Sequence, residues 1–365
     1  MRIMFCLGSM NNGGAERVVS NLSNELSKKH DVSITITSSD KSAYELNKNI
    51  KLFHLDESKL KESVIKRTIK RIKKLRKIIK DEQADVIVSL LPEPSFRVLI
   101  AKTFLNQKVI VSVRNDPNVE YNNFFKKFMV KILYTKADGF IFQTEDAKKW
   151  FSKKIQKKSV IIPNPINEKF ICKPYIGERK KEIVTVGRLT KQKNQKLLIR
   201  AFTLISKKHP NYILKIYGDG NLKDELHSYI SDLCLEDRII LMGKTDNVKE
   251  EIFKSGIFVL SSDYEGMPNA LMEAMALGIP CISTDCPIGG SKFLIKNNEN
   301  GILVPVNNAE KLADAMNKII ENRDFSRKLS FNANKICESL NPKIINKKWE
   351  DFIYKVIRGE LDGKN

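Results

Sequence analysis

The sequence predicts an α/β protein of two doubly wound, Rossmann-like domains facing each other across a cleft. Three observations predict it. Short apolar runs alternate with longer helix-patterned stretches along nearly the whole chain. The alternation stops once and then begins again. The 365 residues are too many for one typical domain and comfortable for two. The first series of strand candidates is "RIMFCL", "VSITIT", "IKLFHL", "DVIVSL", "KVIVSV", "GFIFQT" and "SVIIP". The second is "EIVTVG", "NYILKIYG", "RIILMG", "GIFVLSS", "PCISTD" and "GILVP". Near-continuous apolar strands separated by helices indicate parallel βαβ units covered on both faces. Between the series, "PNPINEKFICKPYIGER" carries three prolines and no period, so it reads as a linker. The predicted division is 1–165, 166–341, and a last helix over 342–365, "PKIINKKWEDFIYKVIRG", expected to pack back on the first domain.

Composition narrows the function classes. With 42% hydrophobic residues each domain can bury a core, and no apolar run approaches the roughly 18 residues a spanning helix needs. The opening "MRIMFCLGSM" reads as a first strand rather than a signal peptide. Six cysteines without a CxxC pair, and without histidines at metal spacing, read as free thiols of a reducing cytoplasm. The net charge of +21 is uneven: residues 1–170 hold 33 Lys and Arg against 18 Asp and Glu, residues 171–365 hold 31 against 25. A field of that sign attracts nucleic acid, an anionic membrane face or phosphorylated substrates.

In doubly wound sheets ligands bind beyond the carboxyl ends of the strands, so the loops there are where function is sought. After the first strand, Gly13 and Gly14 open a helix, where backbone amides either approach an anion or simply begin the helix. After "EIVTVG", Arg188 and Lys193 stand at a strand end and could hold a diphosphate, or be two solvated charges among 64. Gly218 lies in the turn "GDG" after "NYILKIYG", and Lys244 follows "RIILMG", where it could edge a base pocket.

The most informative stretch is "YEGMPNALMEAMALGIP". Pro268 suits a first helical turn, while Gly278 and Pro280 suit its end, which predicts a helix over about 268–277. The stretch Met267, Pro268, Asn269, Ala270 and Leu271 then forms a helix N-terminus whose free amides favour an anion. Glu265 precedes the helix, and Glu273 sits in its second turn. Phosphate on the amides, ribose on one carboxylate and sugar hydroxyls near the other describe a nucleotide-sugar.

"EGMPNALMEAMALGIPCIST" resembles the E-x7-E signature of glycosyltransferase family 4, retaining enzymes of the GT-B fold. "NNGGAERVV", "VGRLTKQKNQKLLIRAF", "YGDGNLKDEL" and "PNP" resemble further segments of that family, so the likeness covers nearly the whole chain. The resemblance implies that Arg188 and Lys193 bind the donor diphosphate, Glu273 the ribose, and that Glu265 lies beside the donor sugar. It implies contacts from Gly266 to Asn269 largely through backbone atoms. Many members carry a histidine after the strand matching "KVIVSV"; here the segment is "VRNDPN", and Asn115 or Asp116 takes that position. "RNDP" resembles a variant of enzymes that build bacterial surface polysaccharides. The family's glutamate near "PIGGSKFLI" is also replaced, by Lys292 and Phe293.

The implied activity is retaining transfer of a hexose or N-acetylhexosamine from a UDP-sugar to a lipid-linked or growing saccharide, with no cofactor and no metal. The implied course is frontside attack by an acceptor hydroxyl, its proton passing to a leaving-phosphate oxygen, with no protein nucleophile, inside domains that close around the linker. "KLKESVIKRTIKRIKKLRKIIK", Lys59 to Lys80, holds 11 Lys and Arg and one acid on a helical apolar period. It reads either as a core-facing stripe with a solvated basic face or as a surface for anionic membrane, beside "FFKKFMVKILY". The second reading fits a polyprenyl-diphosphate-saccharide acceptor and a peripheral location at the inner face of the cell membrane. The competing functions are a nucleotide-sugar epimerase of the same fold and a basic nucleic-acid-binding protein. The epimerase needs acid and base residues that "RNDP" does not clearly supply. No nucleic-acid module is recognised, and the expectation is no nucleic-acid partner.

Overall fold

The computed structural model describes residues 1–11, 13–39, 42–56 and 63–361. The chain divides into two compact units, Met1–Pro165 with Lys343–Asn365, and Ile166–Pro342. All thirteen apolar runs are strands. The N-terminal unit holds β1 (Arg2–Leu7), β2 (Asp31–Ile36), β3 (Lys51–His54), β4 (Val86–Leu90), β5 (Lys108–Ser112), β6 (Gly139–Phe142) and β7 (Ser159–Ile161). The C-terminal unit holds β8 (Lys180–Val186), β9 (Ile213–Tyr217), β10 (Ile239–Gly243), β11 (Ser255–Leu260), β12 (Cys281–Thr284) and β13 (Ile302–Val304).

Each unit is one fully parallel sheet. The orders are β3-β2-β1-β4-β5-β6-β7 and β10-β9-β8-β11-β12-β13. Central strands such as β4 and β11 are buried at every residue, whereas the edge strands β3 and β10 are not. In both sheets the chain reverses its winding between two adjacent strands, β1 and β4 in one and β8 and β11 in the other. Loops leaving the carboxyl ends of such a pair part to opposite sides, which opens the crevice where ligands bind.

The helices used below are α1 (Gly14–Leu26), α2 (Val64–Asp81), α3 (Pro92–Ala101), α4 (Pro117–Glu120), α5 (Phe124–Leu133), α6 (Gln195–Ser206), α7 (Asn269–Ala276), α8 (Ala309–Glu321), α9 (Arg323–Asn334) and α10 (Pro342–Arg358). In the C-terminal unit, Phe202 of α6 and Leu312 and Met316 of α8 join Ile216 and Val259 of the sheet in one apolar core. Of the basic stretch 59–80, residues 59–62 lie outside the described residues. The rest forms α2, capped by the Ser63 hydroxyl accepting from the Lys66 amide. Its apolar residues do not all face inward. Leu75, Ile78 and Ile79 are buried, while Val64, Ile65 and Ile69 in the first turns are exposed, Ile65 at 73%.

The helix α10 packs within the N-terminal unit. A Cβ on Gly139 would stand 2.8 Å from Val356 and 3.2 Å from Phe352, so the start of β6 is a glycine because α10 lies against it. Trp349 is fully buried, with the Arg114 guanidinium 5.4 Å from its ring centre. His30 and Glu350 meet at 3.0 Å. All six cysteines are free thiols. Trp349→Ala should destabilise the chain by about 3–5 kcal/mol, the range for deleting a large buried aromatic. Denaturant unfolding measures this, and a midpoint equal to wild type would show that α10 does not hold the unit together.

Candidate active site

The site grows from the neighbouring strands β8 and β11. Their carboxyl ends lead into loops 187–194 and 261–268, and four hydrogen bonds stitch these loops together. The Asp263 amide donates to the Gln192 carbonyl at 2.9 Å, and Gln192 Nε2 donates to the Tyr264 carbonyl at 3.0 Å. Asn194 Nδ2 donates to Asp263 Oδ1 at 2.7 Å, and the Ser261 hydroxyl to the Lys193 carbonyl at 2.9 Å. Asn194 sits in the left-handed region, φ 44°, as the cap of α6, a conformation asparagine tolerates. This stitching delivers Lys193 Nζ to Glu265 Oε1 at 2.5 Å, an oxygen that also accepts from the Ser262 hydroxyl at 2.7 Å. Glu265 is buried, and its charge is compensated within the protein.

Arg188 is the exposed cation of the same strand end. Its carbonyl is fixed by the Thr190 amide and by Gln195 Nε2, both at 2.9 Å. Its guanidinium makes no hydrogen bond or ion pair among the described residues, so it is available to a ligand.

Two glycines set how closely these loops pack. Gly218 has φ +139°, and a Cβ there would stand 1.9 Å from the Gly187 carbonyl oxygen. A Cβ on Gly290 would stand 1.7 Å from the Gly266 carbonyl oxygen. No side chain fits at either position. Lys244 is exposed just past Gly243, whose carbonyl accepts from the Gly218 amide at 2.8 Å.

The helix α7 begins one residue later than the sequence suggests. Pro268 is its N-cap, with φ −76° and ψ 99°, rather than part of the first turn. The first intrahelical bond is from the Met272 amide to the Pro268 carbonyl, 3.1 Å, and no side chain caps the first turn. The amides of Asn269, Ala270 and Leu271 are thus the positive end of the helix, beside Glu265 and Lys193. Glu273 is buried in the second turn. Gly278, φ +65°, ends the helix as expected.

The other expected residues lie in the N-terminal unit, where several are already engaged. The Gly13 amide donates to the Tyr44 hydroxyl at 3.1 Å, and that hydroxyl donates to the Gly13 carbonyl at 2.9 Å. Gly13 caps α1, Gly14 is its first residue, and Glu16 brings a carboxylate into the same turn. Asp116 is buried as the cap of α4, its Oδ1 accepting from the Asn118 amide at 2.8 Å and Asn118 Nδ2 at 3.1 Å. Asn115 hydrogen-bonds Glu120, a residue the sequence does not single out. Burial pushes the Glu120 carboxyl up to about 7, assisted by the charge of Asp116 and opposed by Asn115 and Lys126. The only sequence signal for it is a glutamate four residues after the capping Asp116.

Comparisons with known proteins identify the family. Residues 12–170 match the model described as Glycosyltransferase Family 4, and residues 167–336 that described as Glycosyl transferases group 1. The chain is 32% identical over 329 residues to an N-acetylgalactosamine-N,N'-diacetylbacillosaminyl-diphospho-undecaprenol 4-alpha-N-acetylgalactosaminyltransferase of Campylobacter jejuni, covering 86% of this chain and 88% of the relative. A second Campylobacter jejuni protein, an alpha-1,4-N-acetyl-D-galactosaminyltransferase named for an undecaprenol-diphosphate-linked acceptor, is 27% identical over 98% of this chain and 99% of its own. Among solved structures, Anabaena HepE in complex with UDP superposes with a TM-score of 0.83 at 17% identity, covering 97% of this chain and 100% of that one. The chain therefore belongs to glycosyltransferase family 4 and has the two-domain GT-B fold.

Glu120 carries a pH prediction. Its folded-state pKa lies above the ordinary 4.5, so between about pH 4.5 and 7 the folded chain holds a proton that the unfolded chain has lost. The stability from this group is complete below the lower value and is lost as pH rises through the upper one. The melting temperature of Glu120→Gln relative to wild type should therefore rise between about pH 4.5 and 7 and level off above. A difference that stays constant across that range would show that the carboxyl is not perturbed.

Proposed function

We propose that this glycosyltransferase moves a hexose or N-acetylhexosamine from a UDP-sugar to a polyprenyl-diphosphate-linked saccharide with retention of configuration, in the synthesis of a bacterial surface polysaccharide. The observation that carries the proposal is that Lys193 meets Glu265 at the strand-reversal point, where the loop that carries Arg188 and the loop that leads into the uncapped start of α7 are held together. Lys193 and the α7 amides would be fixed before substrate arrives, where charge develops on a departing diphosphate, and the uncommitted Arg188 guanidinium would join them. Preorganised charge of this kind accounts for most of the rate enhancement of many enzymes. The same groups supply the counter-charge a divalent metal would otherwise bring, which supports a metal-independent reaction.

Glu273 would accept from the donor ribose, and the backbone of Gly266, Met267 and Asn269 would contact sugar and phosphate. Lys244 would edge the base. Glu265 shares one oxygen between Lys193 and Ser262, which makes it a poor nucleophile and supports frontside displacement. The N-terminal unit would take the acceptor around Asn115 and Glu120, with Asp116 positioning that loop. The Campylobacter relatives, named for undecaprenol-diphosphate acceptors, support the acceptor class. Incubation with such an acceptor and a panel of UDP-sugars should release UDP and add one α-linked sugar, read by mass spectrometry and NMR. A β-linked product, or no turnover with any donor, would overturn the reading.

The roles make separate predictions. Glu273→Ala should weaken UDP binding by roughly 1.5–3 kcal/mol, the range for a hydrogen bond to a charged group. Arg188→Ala should cost about 10²–10³ in turnover, as for other lost oxyanion-type donors. Calorimetry and initial rates test the two, and wild-type values would remove both residues from the site.

The N-terminal unit also supports a membrane-facing role. Besides the exposed start of α2, α5 exposes Phe124 at 85%, with Phe125 and Phe128, among Lys126, Lys127 and Lys131. The helix α3 touches both α2 and α5. Apolar side chains interleaved with lysines suit the boundary of an anionic bilayer. No helix among the described residues is long and apolar enough to cross one. Vesicles rich in anionic lipid should pellet the wild type at low salt and lose the variant with Lys66, Lys70, Lys73 and Lys77 changed to Glu. Each cation near the surface contributes about 1 kcal/mol, screened within about 10 Å at 0.1 M salt. Equal pelleting, indifferent to salt, would leave the basic face as solvated surface.

A further inference from the structure

The C-terminal unit contains a cavity of about 640 Å³ that the transferase site does not use. It lies at the amino ends of β8 and β11, beside Lys181 and Gly256, under α9 and the end of α8. Arg188 stands past the opposite end of β8, whose seven residues span about 20 Å in six steps of about 3.3 Å. The volume falls within the range of small-molecule sites.

Its lining divides by chemistry. Ile257 and Ile319 are buried in the wall, and Phe331 is exposed among the lining residues, 63% accessible. Arg179 is also in the wall, but its guanidinium already donates to the carbonyls of Phe253, Ser255 and Gly278 and to the Ser330 hydroxyl. Arg179 therefore shapes the wall rather than binding. Lys181, Arg323 and Arg327 are different: all three are exposed, and none makes a hydrogen bond or ion pair through its side chain among the described residues. Glu178 is the only acid in the lining. No asparagine, glutamine or aspartate is present to read the edge of a nucleobase. Three uncommitted cations beside an aliphatic and aromatic wall match an anion carried on an apolar body.

We propose that this cavity is a second ligand site, separate from the donor site, for a phosphate ester with an aliphatic tail, its phosphate held by Arg323, Arg327 and Lys181 and its tail against Ile257, Ile319 and Phe331. Such a ligand could come from the prenyl carrier of the acceptor or from another lipid phosphate; the shared chemistry is the tailed phosphate. The probe is geranyl monophosphate, titrated calorimetrically into the full chain, with geraniol, inorganic phosphate and uridine monophosphate as separate arms. Geranyl phosphate should bind once per chain, and each other probe at least about tenfold more weakly, the effect of losing one charge-assisted hydrogen bond or its apolar equivalent. Saturating UDP should leave that binding unchanged. Failure of UDP itself to bind would count against the donor site alone. Arg323→Glu with Arg327→Glu, and separately Phe331→Ser, alter exposed side chains and should each weaken geranyl phosphate by about tenfold or more. Competition by UDP, equal binding of inorganic phosphate, or wild-type affinity in the double-reversal variant would overturn the proposal.

Discussion

The ion pair of Lys193 with Glu265 ties together two loops that the chain separates by 72 residues. It stands at the carboxyl ends of β8 and β11, where the sheet reverses its winding, and the rest of the site is arranged around it. The backbone bonds of Gln192, Lys193 and Asp263 bring the loops into register. Gly218 and Gly290 let the neighbouring loops approach without a side chain between them. The helix α7 then starts beside the pair with its amides unoccupied by any capping side chain. Removing Lys193 would leave the buried Glu265 carboxylate uncompensated, a change that costs about 3–5 kcal/mol in a fully buried pair and less in this partly buried one. The pair is therefore a structural tie, and it holds Lys193 at the strand end where the proposed diphosphate would lie.

Much of this was legible in the sequence because the signals are local. Parallel strands covered on both faces must be apolar throughout, so all thirteen stand out as runs. The pattern from Glu265 to Gly278 is local too, and it places the start of α7 within one residue. The pairing of Lys193 with Glu265 has no local signal, because it depends on which strands are neighbours in the sheet. Glu120 is hidden because its state is set by burial, which the sequence does not show; Asn115 and the buried, hydrogen-bonded pair Tyr121 and Tyr134 interact with it. The period of α2 shows an apolar stripe but cannot show that its first turns are exposed while its last are buried.

The two units carry different charge logic. In the C-terminal unit the cations that matter are few and individually placed. In the N-terminal unit the surplus is spread over α2 and α5 beside exposed aromatic and aliphatic side chains. Placed charges discriminate one ligand group from another, whereas a spread of charge acts as a field whose effect depends on salt. That division would suit the proposed enzyme, with its donor in the C-terminal unit and its acceptor met by the N-terminal one.

The central claim is that Arg188, Lys193 and the amide end of α7 together neutralise a diphosphate. Titration of UDP into the protein in the presence of EDTA tests it most directly. The account predicts saturable binding of one UDP per chain, unchanged by the chelator, with uridine binding far more weakly because it lacks the diphosphate. Affinity that vanishes with EDTA, or that is the same for uridine and UDP, would contradict it.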